Sequence, residues 1–154
     1  MTPFQHILVP VDFGDAMQPG IDLAVSLART LDARLTLVNT FDITPFAATT
    51  PFAPMLDVEP MLATSEAELK KVLANVRAAW PKTDAVFRQG SPYDAILEVA
   101  KRHACDLIVI GTHGRRGVAR VLLGSVAERI VRLSPIPVLT VHPVPAVEKA
   151  ASAA

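Results

Sequence analysis

The sequence offers one cysteine, 5% aromatic residues and no excess of charge of either sign. A lone Cys105 closes no internal disulfide, which suits a reducing compartment, and its apolar setting marks it as a buried small hydrophobe rather than a nucleophile. Fifteen Lys plus Arg stand against fifteen Asp plus Glu, a formal net charge of zero. That balance removes the basic footprint of non-specific nucleic-acid binding, so an anionic ligand must be held by local geometry. No apolar run reaches the roughly eighteen residues that a membrane-spanning helix needs. The first twenty residues hold no Lys or Arg, and Pro10 and Asp12 interrupt Ile7-Leu8-Val9, so no secretory signal is expected. The expectation is a cytoplasmic protein with neither nucleic acid nor membrane as partner.

What the chain does contain is apolar substance in short blocks. At 154 residues and 51% apolar it has the size of one domain with a continuous core. The runs His6 to Val11, Arg34 to Thr40, Asp106 to Gly111 and Pro137 to His142 are too short for helices. Their near-continuous apolar character fits parallel strands covered on both faces. Ala85 to Gln89 is less apolar and reads as an edge strand. Between them lie helical periods: Ile21, Leu23, Ala24, Leu27, Ala28 and Leu31 after Pro19-Gly20, then Leu62, Leu69, Val72, Leu73, Val76 and Trp80, ended by Pro81. Ser91-Pro92-Tyr93-Asp94 opens a third helix, with serine placed to cap. Ser125 opens a fourth, with Glu128 as a capping-box partner. Alternating strands and helices call for a doubly wound α/β sheet. We expect one domain over 1–144 and a disordered Ala-rich tail over 145–154. The stretch from Asp42 to Pro60, carrying Pro45, Pro51 and Pro54, lacks a helical period and reads as packing over the sheet, a lid or a partner surface.

The chemistry concentrates after the fourth apolar strand. Gly111-Thr112-His113-Gly114-Arg115-Arg116-Gly117 follows it directly, and Gly124-Ser125 then opens a helix. Glycines let backbone N–H groups approach oxygens closely, and a helix N-terminus adds donors and partial positive charge, so strand, glycine loop and helix together suit a phosphate. The spacing is not a Walker A loop, because no lysine precedes Ser125. It is not a Rossmann fingerprint, because Asp12-Phe13-Gly14-Asp15 has a single glycine. The bare pattern is also compatible with a structural turn and cap. Its position at the carboxyl end of a strand favours a ligand.

His6-Ile7-Leu8-Val9-Pro10-Val11-Asp12, Asp106 to Arg115 and Leu122-Leu123-Gly124-Ser125-Val126-Ala127 together resemble the universal stress protein family. Ser134-Pro135-Ile136-Pro137-Val138-Leu139-Thr140-Val141 resembles that family's last strand. The resemblance implies an open five-stranded parallel sheet of order 3-2-1-4-5 with helices on both faces, a Rossmann-like form shared with adenine nucleotide alpha-hydrolases. It implies a homodimer, here through Pro137 to Val141, and a stress-response role in which ATP or another adenine nucleotide binds with Mg²⁺ or Mn²⁺. On its ATP-binding branch the phosphates map to Gly111, Gly114, Gly124, Ser125 and the following Val126. Pro10, Val11 and Asp12 map to the nucleotide end of the first strand, and Val38 to the border of the adenine.

Several residues keep two readings. Ser125 can cap the helix through its hydroxyl while its N–H meets phosphate. Asp12 can cap the helix that follows or contact ligand. Arg115 is a solvated loop charge or a phosphate ligand, and His113 is part of the turn. His6, His103 and His142 have no partner at metal-ligand spacing and read as structural or solvated. No residue reads as catalytic and no protein metal cage is expected, so hydrolysis should be slow or absent. The alternatives are a weak ATPase or phosphotransfer enzyme using Asp12 and the arginines, and a dimeric, chaperone-like interaction protein that needs no nucleotide.

Overall fold

A computed structural model describes residues 3–14, 17–45, 57–112 and 123–142. Along the chain run β1 (His6–Pro10), α1 (Met17–Leu31), β2 (Arg34–Phe41), α2 (Glu59–Ala79), β3 (Thr83–Gln89), α3 (Pro92–Arg102), β4 (Leu107–Gly111), α4 (Ser125–Leu133) and β5 (Val138–Val141). The strands form one parallel sheet in the order β3-β2-β1-β4-β5. The architecture read from the sequence is therefore the one observed, with β3 and β5 at the edges.

Strand alternation divides the core into two layers. Ile7, Val9, Leu35, Leu37, Leu107 and Val109 face α1 and α2, packing on Ile21, Ala24, Ala28, Leu69 and Val76. Leu8, Val38, Ile108 and Ile110 face α3 and α4, packing on Ile96, Val99, Ala100, Ala127 and Ile130. Successive side chains of a strand point to opposite faces, so the central strands must be apolar at nearly every position. Each fully buried Leu, Ile or Val contributes about 1.5–3 kcal/mol by leaving water. The ion pairs, such as Arg77–Asp84 and Lys82–Asp32, join exposed side chains and add little by comparison.

The helix starts differ from the sequence reading in one boundary and two caps. Helix α1 begins at Met17 and takes Pro19 and Gly20 into its first turn. Proline is tolerated there because first-turn N–H groups have no intrahelical acceptor. Ser91 stands at the N-cap of α3 but makes no side-chain cap hydrogen bond. In α4 the N-cap is Gly124, and the carboxylate of Glu128 pairs with Arg132 one turn on, so no capping box forms.

At the lower edge of the sheet, where the strands begin, His6 is a buried tie. One ring nitrogen lies 2.8 Å from the His103 carbonyl and the other 2.7 Å from Thr36 Oγ1. The Asp106 carboxylate accepts from the backbone N–H groups of Gln5 and His6. Strands β1 and β2 and the turn before β4 are thus joined through one imidazole. Burial holds that imidazole below its ordinary 6.5, the charges of Arg34 and His103 add to the effect, and the His103 carbonyl and Asp106 oppose it.

The sign of the resulting pH dependence follows from linkage. The folded state favours neutral His6, so as pH falls the unfolded chain takes up this proton first. The stabilisation is complete above about pH 6.5 and is lost progressively below it, until folded His6 is itself protonated. Urea unfolding across about pH 5 to 8 should show a stability advantage of the wild type over His6→Gln that shrinks as the solution is acidified. Parallel pH profiles for the two proteins would remove His6 from this role.

Candidate functional site

The strand order reverses between β1 and β4, and there the upper edge of the sheet opens. Strand β1 stays paired with β2 up to Pro10↔Val38, and β4 with β5 up to Gly111↔Val141. Between β1 and β4 the pairing ends at Leu8↔Ile108. The carboxyl ends of the two central strands therefore part, each held to its outer neighbour, which is where open α/β sheets accommodate ligands.

On the β1 side, Pro10 is half-buried and Val11 buried. The Val11 N–H donates to the carbonyl of Val38, itself fully buried, at 2.9 Å. Asp12 accepts the Gly14 N–H at 2.9 Å, closing a tight turn that holds Phe13 at φ 60°. Asn and Asp side chains favour such turns because they bond their own backbone two residues on. The Gly14 carbonyl then accepts from Met17 N at the start of α1. Asp12 thus shapes the turn out of β1, and this bond is to Gly14 ahead of α1 rather than to the first turn of that helix.

On the β4 side, Gly111 is the last paired residue, and α1 passes close to it: a Cβ added at Gly20 would lie 3.8 Å from Gly111 N. Thr112 is the fastening point. Its N–H donates to the Val141 carbonyl at 3.0 Å, and its own carbonyl accepts Gly124 N at 2.7 Å. Its hydroxyl lies 3.1 Å from His142 Nδ1. The start and finish of the glycine segment are so brought together at the tip of β4, beside β5. Gly124 is the N-cap of α4, and no side-chain cap hydrogen bond forms there. Ser125 is exposed and Val126 half-buried against the α3–α4 layer. Gly114 and Arg115, with His113, Arg116 and Gly117, lie outside the described residues.

The structure therefore brings Pro10, Val11, Asp12 and Val38 to one wall of the opening, and Gly111, Gly124, Ser125 and Val126 to the other. Two contributors escaped the sequence reading. Thr112 has no role of its own in the sequence reading of the glycine segment, although its amide and hydroxyl meet the end of β5 and its carbonyl holds the head of α4. Asn39, buried in β2, donates from Nδ2 to the Val11 carbonyl at 2.8 Å. A polar residue interrupting Leu35-Thr36-Leu37-Val38 was the available signal. His142 meets Thr112, and His6 is the structural histidine described above.

Other chemistry is sparse. Burial raises the Cys105 thiol to about 12, with Asp106 adding to the effect, so it is not a nucleophile near neutral pH. Among the described residues no three His, Cys, Asp or Glu side chains group as a metal site, and no helix is long and apolar enough to cross a membrane. A groove of about 650 Å³ runs between α1 and α2. It lies along the helices rather than at the strand ends, and its guanidinium, Arg29, already donates to the Ala79 carbonyl. It lacks the clustered backbone donors of a phosphate site.

Comparison with known proteins agrees with this arrangement. The model of the "Universal stress protein family" matches residues 3–142. A universal stress protein of Thermus aquaticus is 34% identical over 141 residues, covering 90% of this chain and 99% of its own. The solved universal stress protein UspA of Lactobacillus plantarum superposes with a TM-score of 0.73 at 28% identity, over 92% of this chain and 99% of its own. A universal stress protein solved in complex with cAMP superposes with a TM-score of 0.62 at 29% identity, over 91% and 98% of the two chains. The chain belongs to the universal stress protein family.

Proposed function

We propose that this protein is a cytoplasmic stress-response regulator that binds ATP, or a close adenine nucleotide, across the opening between β1 and β4, with residues 1–144 acting as one domain. The phosphates lie against Gly111, Gly114, Gly124, Ser125 and Val126, with Arg115 supplying charge. The ribose lies near Asp12, and the base against Pro10, Val11 and Val38. The observation that carries this reading is the parting of β1 and β4 after Leu8↔Ile108, directly beside a glycine segment pinned to the uncapped N-terminus of α4. Backbone donors and a helix N-terminus suit an anion in a chain whose net charge is zero. The relative bound to cAMP supports an adenine nucleotide as the ligand. Mg²⁺ or Mn²⁺ arrives with the nucleotide, because hard cations of this kind bind through one or two carboxylates plus substrate phosphates.

Holding rather than cutting is the expected activity. The glycine segment suits the holding of phosphates and no lysine precedes Ser125, so we take ATP occupancy, not turnover, as the signal. Isothermal titration with Mg-ATP should give saturable binding by the wild type and at least a tenfold loss in a Gly114→Val, Gly124→Val double variant, because added side chains hold the backbone away from the phosphates (about 1.4 kcal/mol or more). Equal binding by both proteins would sink the loop assignment. Steady phosphate release lost in Asp12→Ala, with binding kept, would favour the weak ATPase instead.

The partner is a second copy of the chain. β5 is an edge strand, and Leu139 on it is 37% exposed, while Leu133 at the end of α4 is 52% exposed. An apolar edge of this kind is a template for pairing with another chain. Light scattering should find a dimer for the wild type and a monomer for Leu139→Lys with Leu133→Glu, both with the same circular dichroism. A variant that stays dimeric would place the contact elsewhere.

A further inference from the structure

Two polar side chains interrupt the buried run of β2, and they are treated differently. Thr36 is answered by His6. Asn39 is answered on one side only: Nδ2 donates to the Val11 carbonyl at 2.8 Å, while Oδ1 is a buried side-chain atom with no hydrogen-bond partner among the described residues. It is the one such atom among the described residues. A buried amide oxygen without a protein donor is costly, and native structures rarely leave one unanswered.

Its position suggests the use. The last β1–β2 pair is Pro10↔Val38, so Asn39 is the first β2 residue above it, and its amide touches Val11 at the wall of the opening. From β4, which carries the glycine segment, to β2 is two inter-strand spacings, about 10 Å. A nucleotide with its phosphates on the β4 side and its length laid across the tip of β1 brings its base to this place.

We propose that Asn39 Oδ1 accepts a hydrogen bond from the exocyclic 6-amino group of adenine, and so makes Asn39 the residue that separates 6-amino from 6-oxo purines. This rests on the nucleotide reading above. The locked orientation of the amide supplies the discrimination. A free asparagine adapts to either purine by exchanging its oxygen and nitrogen, since one face accepts and the other donates. Asn39 does not, because turning it would set Oδ1 against the Val11 carbonyl and leave two acceptors face to face. A 6-oxo purine presents an acceptor to an acceptor and is rejected. Asn39 is 4% exposed, so the base must displace the local packing and seat fully against the end of β1 to reach it. The bond then forms away from water, where an unmatched acceptor is penalised most.

The test compares ATP with ITP, whose base carries a 6-oxo group and an N1–H in place of the 6-amino group and the bare N1, by calorimetry on the full chain. The wild type should bind ATP about tenfold or more tightly than ITP. Asn39→Ala and Asn39→Ser should lose ATP affinity, gain ITP affinity as the opposed acceptor is removed, and so bind the two nearly alike. Wild-type protein that binds ATP and ITP equally overturns the assignment without recourse to any variant. Discrimination that persists in a folded Asn39 variant overturns it as well. Binding of neither nucleotide by the wild type overturns the nucleotide reading itself, and this inference with it, which separates the two failures.

Discussion

The reversal of strand order at β1 is the constraint on which the upper edge of the molecule depends. β1 is pulled to one side by β2 and to the other by β4, and the chain leaves the two central strands toward opposite faces, α1 on one and α4 on the other. The pairing of β1 with β2 and of β4 with β5 continues beyond the level at which β1 and β4 stop pairing. The opening is thus a consequence of topology, supported from below by fully buried Leu8, Ile7 and Ile108.

Buried polar groups mark both edges of this sheet. At the lower edge His6, Thr36, the His103 carbonyl and Asp106 satisfy one another, and the group acts as a polar tie within an apolar core. At the upper edge Asn39 is left half-satisfied. Satisfied networks specify a unique arrangement, whereas an unmatched group stores a cost that an incoming ligand can relieve. On our proposal the contrast between the two edges is the contrast between scaffold and site.

Thr112 connects the proposed site to the edge at which a second copy would dock. Its amide and hydroxyl meet Val141 and His142 at the end of β5, while its carbonyl holds Gly124 at the head of α4. Phosphate contact with the glycine segment and pairing along β5 would bear on the same few hydrogen bonds. On our proposal this supplies a short physical route by which nucleotide occupancy would bias the dimer.

Much of the fold was legible because it rests on local chemistry. The continuous apolar runs required strands covered on both faces, and the helical stripes at Ile21, Ala24 and Ala28, or Leu69 and Val76, announced what would cover them. The glycine spacing from Gly111 to Gly124 marked a candidate loop in the sequence, although the bare pattern suited a structural turn and cap as well. Capping was misread at Ser91 and Glu128, because a capping hydroxyl or carboxylate has competing partners, and Arg132 took Glu128. The sequence by itself determined the layers, the element order and one half of the candidate site. The tertiary structure alone decided that β1 and β4 part after Leu8↔Ile108, that Thr112 ties three elements, and that Asn39 lies against Val11 with an oxygen unmatched. Those are contacts between residues far apart in the chain, and no local periodicity encodes them.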